Sequence, residues 1–459
     1  MNIFSRKLVM KRIIDHFLLE WKDSSNRKPL LLRGARQVGK THTVRELGKQ
    51  FPHFIEINLE INVAARAIFE KDPDAQRIVR QLAELVQEKI VPGSTLLFLD
   101  EIQQVPQAIT ALRYFYELMP ELHVIAAGSL LDFAIQQVGV PVGRISFMYM
   151  YPLSFFEFLV ALNYEGWARA LLNSSLREPL VQPVHEKLLE LVGAYLAIGG
   201  MPEAVNEWLK TKVSWDAKKV HADLLASYEQ DFGKYAKKHQ IKYLGILFQK
   251  AANQLGNKFM YSRVGEYKKR ELEPALHLLE MAGLFCHVVH SSGQGIPLGA
   301  QADLNAFKLI FFDVGLTQAL LKFDLAPWFV DPLATFVNKG ELVEAFVGQE
   351  LLAYADPIAK AGLFYWYRES RGSQAEVDYL VQIDNHVVPI EVKAGSSKRI
   401  KSMQLFLDSH IHSSYGIRFS VDNYSIYQKI NSYPLYAVCK PSFDAGGQVH
   451  KALLNLVIE

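Results

Sequence analysis

Only two cysteines, Cys286 and Cys439, occur in 459 residues, far apart and outside any CxxC or Cys/His spacing. That scarcity excludes a disulfide scaffold and a structural zinc site, and it points to a reducing, cytoplasmic setting. Eighteen apolar residues never run without a charge, so no membrane span is expected. The stretch from Met1 to Trp21 intersperses Arg6, Lys7, Lys11, Arg12, Asp15 and Glu20 among apolar positions and lacks a small-residue cleavage site. It reads as an amphipathic helix and not as an export signal. Charge of one sign is missing too: 50 Lys+Arg against 48 Asp+Glu leave a net +2, so any nucleic-acid contact must come from local basic patches.

What is present is core material. Half the residues are hydrophobic, 21% charged and 12% aromatic, the composition of a folded chain. At roughly 150 residues per domain the length suits about three domains. From Lys28 to about Leu153, short apolar runs alternate with helical patterns: Leu30–Leu32, Phe54–Ile57, Thr95–Leu99, His123–Ala126 and Ile145–Met148. Continuous apolar strands separated by helices predict a parallel sheet covered on both faces. Helical periods fill Ser154 to Tyr228, broken at Gly199-Gly200-Met201-Pro202. Between Asp231 and Ser292, helices are succeeded by the β-like run Phe285–Val289, an order that suggests a winged helix, and Phe307–Asp313 is a further apolar run. A new α/β pattern starts near Gly340. The division expected is 1–153 as an α/β core, 154–230 as a helical lid, 231–330 as a winged-helix-like segment and 340–459 as a C-terminal α/β domain.

Gly34-Ala35-Arg36-Gln37-Val38-Gly39-Lys40-Thr41 fits G-x-x-x-x-G-K-[ST], after an apolar strand and before a helical pattern. Its glycines let backbone N–H groups turn toward phosphates, Lys40 reaches the β/γ-phosphates, and Thr41 offers its hydroxyl to Mg²⁺. ATP and Mg²⁺ are the cofactors this loop calls for. Leu96–Leu99 ends in Asp100-Glu101, which places Asp100 beside Thr41 as a second magnesium ligand and Glu101 as the base that orients the lytic water. Ser129, ending the run Val124–Gly128, is placed to touch the γ-phosphate or the attacking water and to cap the next helix, roles that are compatible. Arg144 neutralises transition-state charge, in cis or from a neighbouring subunit, or is a salt-bridged surface arginine.

These motifs, with Leu99-Asp100-Glu101-Ile102-Gln103, Ala127-Gly128-Ser129, Gly143-Arg144, Tyr151-Pro152-Leu153-Ser154-Phe155, Glu157 and Gly199–Pro202, resemble prokaryotic AAA-type ATPases joined to a C-terminal domain of uncharacterised function. The resemblance implies a P-loop NTPase sheet with a helical lid, a winged helix and a C-terminal restriction-endonuclease-like domain. His42 departs from the pattern, standing where such proteins often carry a second threonine.

Asp378 in Ala375–Val381 and Glu391-Val392-Lys393 form a D…ExK pattern on two strands of an expected hairpin. Residues two apart on a strand face one side, so Glu391 and Lys393 share a face. With Glu350 from a preceding helix they would make a second metal site of the PD-(D/E)xK phosphodiesterase kind, where two carboxylates hold a divalent ion and the lysine orients water. An alternating hairpin with solvated charges gives the same pattern. Lys234, Lys237, Lys238 and Lys242, then Lys268, Lys269 and Arg270, and finally Lys398, Arg399 and Lys401, are basic runs suited to phosphate contact. The expected partner is DNA, coupled to nucleotide state; the rival expectation is a nucleotide-gated protein scaffold with an inert nuclease-like domain.

Overall fold

A computed structural model describes residues 10–139, 141–370, 373–395, 400–441 and 447–458. Arg6, Lys7, Lys398 and Arg399 lie outside the described residues. Those described form two sheets. The first contains β1 (Leu30–Arg33), β2 (His53–Asn58), β3 (Thr95–Asp100), β4 (His123–Ala127) and β5 (Ser146–Tyr149) in the order β2-β3-β4-β1-β5, every neighbouring pair parallel. Alternation sends Leu31, Leu97, Leu99, Val124 and Ala126 into one core and Leu30, Leu32, Leu96, Phe98 and Ile125 into another. That division onto two faces is why the strands read as unbroken apolar runs.

The second sheet holds β6 (Phe285–Ser291), β7 (Ala302–Phe311), β8 (Leu363–Ser370), β9 (Ser373–Ile383), β10 (His386–Lys393), β11 (Gly416–Ser420), β12 (Ser425–Tyr427) and β13 (Ile430–Pro434). Its order is β12-β13-β11-β10-β9-β8-β6-β7. The hairpin β6–β7, which comes after the helices Ile241–Lys250 and Lys269–Met281, joins the strands of the 340–459 segment through a parallel β6–β8 pairing at Val288↔Leu363 and Val289↔Phe364. The 231–330 and 340–459 segments therefore share one sheet.

In chain order the helices Phe155–Ala161, Glu165–Asn173, Gln182–Ile198, Pro202–Thr211 and Ser214–Tyr235 connect the strands of the first sheet to those of the second. The helix break at Gly199–Met201 has a steric cause. Gly199 has φ +75°, and a Cβ on it would collide with Asp313; one on Gly200 would collide with the Leu153 carbonyl. Backbone bonds hold the corner: Leu153 N–H donates to Gly200 O at 2.7 Å, and Gly200 N–H donates to Asp313 Oδ2 at 2.7 Å. No single described helix is long and apolar enough to cross a membrane; the bent pair Gln182–Ile198 and Pro202–Thr211, meeting at 119°, passes that test only when its two arms are taken together.

The run from Pro152 to Glu157 is a junction. Ser154 caps Phe155–Ala161, and Glu157 closes the capping box by accepting from Ser154 N–H at 2.7 Å. The other Glu157 oxygen accepts from Ile13 N–H at 2.7 Å and pairs with buried Arg12 Nε at 3.0 Å. Arg12 then donates to Val38 O at 2.9 Å and Tyr151 O at 2.7 Å, so the helix Ile13–Asp23 and the phosphate loop are pinned to one carboxylate.

Candidate functional site

The turn from β1 into the helix Lys40–Gly48 forms the cradle. Gly34 sits at φ +150°, where a Cβ would strike the Met150 carbonyl, and Gly39 at φ +105° is the helix N-cap. A Cβ on Gly39 would meet Arg12 Nη1 at 3.4 Å and Pro202 Cγ at 3.6 Å, ordinary contact distances, so Gly34 is required by close approach and by conformation, and Gly39 by its conformation alone. Lys40 Nζ donates to Gly34 O at 2.9 Å and Ala35 O at 2.8 Å. An ammonium has three N–H donors, so one is left for a phosphate oxygen. Burial pulls the Lys40 ammonium down to about 8 against the opposing pull of Glu101 and Asp100.

That value carries a pH prediction. Phosphates facing Lys40 raise its affinity for a proton, so ATP binding takes up a proton wherever the empty cradle is part-deprotonated. Affinity is therefore full below the empty-site value and declines as pH rises through about 8. Titration calorimetry in two buffers of different ionisation heat should give close to zero uptake near neutrality and roughly half a proton or more above pH ~8; identical uptake at both pH values counts against the assignment.

Thr41 Oγ1 donates to Asp100 Oδ2 at 3.0 Å, which brings together the two groups expected at magnesium. Burial, then the adjacent Glu101, holds the Asp100 carboxyl above its ordinary range, so a cation there relieves an unfavourable charge. Glu101 stands at φ +53° and its N–H donates to Asp100 Oδ1 at 3.1 Å. A non-glycine residue in that conformation costs about 1–3 kcal/mol and is characteristic of functional sites. Gln103 Nε2 bonds the Glu101 carboxylate, a contact that carried no assigned role in the sequence. Gln103 also packs where a Cβ on Gly128 would fall, which ties Glu101 to the end of β4.

The loop is held from outside as well. Arg36 Nη1 pairs with Asp231 Oδ2, Lys234 Nζ pairs with Asp231 Oδ1 at 2.9 Å, and Tyr228 Oη donates to Arg36 O at 2.9 Å, all from the helix Ser214–Tyr235. A Cβ on Gly283, after the helix Lys269–Met281, would lie 3.5 Å from Ala35 Cβ. Gln37 has φ +65°, Val38 is buried, and His42 is exposed. A cavity of about 580 Å³ opens beside the loop, lined by Gly34, Ala35, Ser129, Tyr151, Phe285 and His287 among others.

Two expectations, for Ser129 and Glu350, need correction, and for Arg144 the salt-bridged alternative matches what is seen. The helix Leu131–Val138 has Leu130 as its N-cap with no side-chain cap, so Ser129 is not the cap and its half-buried hydroxyl is left to the cavity. Arg144 Nε pairs with Glu117 Oε1 at 2.8 Å over the Tyr116 ring, 45% exposed, and none of its described contacts reaches the loop, so a role in cis has no support here. Glu350 does not join the C-terminal carboxylates: its oxygens accept from Phe155 N–H at 2.9 and 3.1 Å, at the start of Phe155–Ala161. Burial pushes its carboxyl up to about 8.

The helix Gly340–Ala353 instead supplies Glu344 to the cluster. Hairpin β9–β10, in register Ile390↔Tyr379, brings Asp378, Glu391 and Lys393 together: Lys393 pairs with Glu391, and Val392 N–H donates to Asp378 Oδ2 at 2.7 Å. Buried Lys308 of β7 pairs with Glu344 at 2.9 Å and with Glu376. The sequence signal for Lys308 was a single charge inside the apolar run Ala306–Phe312. Of the basic runs, Lys237, Lys238, Lys242, Lys268, Lys269, Arg270 and Lys401 are exposed.

Comparison with known proteins assigns the matching segments. Residues 26–159 match an AAA domain, 189–326 a domain of unknown function (DUF8612) and 339–438 a domain of unknown function (DUF4143). None of the curated proteins matches the sequence. Among solved structures, a Walker-type ATPase of Pyrococcus abyssi is similar at 17% identity, over 70% of this chain and 96% of its own, with a TM-score of 0.44. A signal transduction ATPase with numerous domains and a tetratricopeptide repeat sensor, from Pyrococcus horikoshii, is similar at 13% identity over 72% of this chain and 47% of its own, with a TM-score of 0.25. The cradle built by Gly34, Lys40, Thr41 and Asp100 thus lies inside the segment 26–159 that is similar to AAA domains.

Proposed function

We propose that the chain binds ATP with Mg²⁺, hydrolyses it, and passes the state of its phosphate loop to the C-terminal half, where nucleic acid is engaged. The observation that carries this reading is the Thr41–Asp100 contact at 3.0 Å beside a lysine with one free donor. These residues fit the nucleotide and its cation: glycines clear the loop, a hydroxyl and a carboxylate offer hard oxygens, and an ammonium faces the phosphates. Bound Mg²⁺ supplies neutralisation of the charge that builds on the transferred phosphoryl group. Lys40 holds the phosphates, Glu101 takes a proton from the attacking water, and Gln103 sets where Glu101 points. Arg36, gripped by Asp231 and capped by Tyr228, is the route by which a filled loop pulls on the helix Ser214–Tyr235 and, through it, on the C-terminal half.

Nucleic-acid engagement draws support from the exposed Lys237, Lys238 and Lys242, and from Lys268–Arg270 at the start of the helix Lys269–Met281, which precedes the β6–β7 hairpin as a recognition helix precedes a wing. The nuclease-like reading of 340–459 draws support from the meeting of Asp378, Glu391 and Lys393. A second reading, a nucleotide-gated scaffold with an inert C-terminal domain, is favoured by Lys308, which fills the carboxylate cluster with an internal cation. Turnover measured with and without linear duplex DNA separates them. Stimulation that is strong at about 50 mM salt and weak at about 200 mM supports DNA engagement; turnover indifferent to DNA at both salts leaves the scaffold.

A further inference from the structure

We infer that the ammonium of Lys308 takes the place of a divalent cation among Glu344, Glu376, Asp378 and Glu391, so that this D…ExK cluster is metal-free by construction. The PD-(D/E)xK resemblance implies a metal here, and the donor set does not fit one. Glu344 and Glu376 spend oxygens on Lys308, Asp378 Oδ2 accepts from Val392 N–H, and Glu391 Oε1 is bound to Lys393. Among the described residues, no three His, Cys, Asp or Glu side chains form a group that could hold a metal ion.

The lysine is built in. Its side chain is 2% exposed, its backbone lies in the β6–β7 ladder opposite Val288 with a bridge to Lys258, and its ammonium lies 5.1 Å from the centre of the Tyr365 ring. Burial works against its charge, but Glu344, Asp378 and Glu376 together hold its affinity for a proton above the ordinary lysine value. A doubly charged ion admitted beside that fixed ammonium would meet strong repulsion in a site of low polarisability. One oxygen marks what the ammonium displaces: Glu391, 6% exposed, has its Oε2 buried with no hydrogen-bond partner among the described residues. That oxygen is a spare ligand.

The inference is independent of the ATPase reading, because its test contains no nucleotide. Mn²⁺ binding to the full chain is tracked by the loss of the free-ion magnetic resonance signal, for the wild type, Lys308→Met, Lys308→Met/Asp378→Asn and Asp378→Asn, with thermal melting to show each is folded. The wild type is expected to bind no Asp378-dependent Mn²⁺ up to roughly 1 mM. Lys308→Met is expected to gain one Mn²⁺ per chain, at least about tenfold tighter than any wild-type binding, and the double variant to lose it. Asp378-dependent Mn²⁺ binding by the wild type overturns the inference, as does a folded Lys308→Met that gains none. Should Lys308→Met not fold, Lys308→Gln takes its place, and the comparison of wild type with Asp378→Asn decides alone.

Discussion

Glu101→Gln is expected to retain ATP while its turnover falls by about 10²–10⁴, the span that a positioned general base contributes. The substitution keeps the side chain's length and shape, and leaves untouched Lys40 and the Thr41–Asp100 pair, the groups proposed for the phosphates and the cation. What it removes is the carboxylate able to accept the proton of the attacking water. Because Gln103 donates to that carboxylate and Glu101 is fixed in a left-handed backbone conformation, the replacement has little freedom to find another pose. Phosphate release and fluorescent-nucleotide binding, measured on the same preparation, read the two effects separately. Turnover within twofold of the wild type would falsify the role given to Glu101.

Lys40→Ala acts one step earlier. It deletes the donor left for the phosphates and abandons Gly34 O and Ala35 O, the two carbonyls the ammonium satisfies inside a buried turn. Loss of a donor aimed at developing negative charge costs about 10²–10³ in rate, and loss of ground-state phosphate binding adds to it, so kcat/KM should fall by about 10³ or more. Nucleotide binding should disappear from titration calorimetry at concentrations that saturate Glu101→Gln. A Lys40→Ala protein that melts like the wild type and still binds ATP with comparable affinity would remove the cradle from the mechanism.

The phosphate site was legible because its parts are local. The loop, its strand and the paired acids each occupy a few consecutive residues, and the apolar strands between Leu30 and Met148 mark the five-stranded sheet to within a residue or two. Apart from the Thr41–Asp100 pair, which the two motifs together foretell, what escaped was partnership across long stretches of chain. Arg12 was visible only as one charge on an amphipathic helix, yet it binds Val38, Tyr151 and Glu157 at separations that no periodicity reports. Glu344 and Glu350 lie on one helix and differ only in direction; Glu350 is drawn to the open N–H of Phe155, and Glu344 to Lys308. Lys308 itself comes from a strand assigned by sequence to a different segment from the carboxylates it neutralises. Likewise the hairpin β6–β7 was readable, but its hydrogen-bonded neighbour β8 was not, since parallel pairing at such a distance leaves no local mark.

That shared ladder has a consequence for inheritance. The stretches 189–326 and 339–438 are recognised as two separate units, but the strand pairing Val288↔Leu363 crosses between them and the Lys308 ammonium pairs with Glu344 and Glu376 of the far side. Recombination between them would release a fragment with β8's edge uncovered, a template for stray pairing, and would strand an unneutralised knot of acids. The strand ladder and the charge pairing therefore fail together when the two stretches are parted, which makes this half of the chain one mechanical unit.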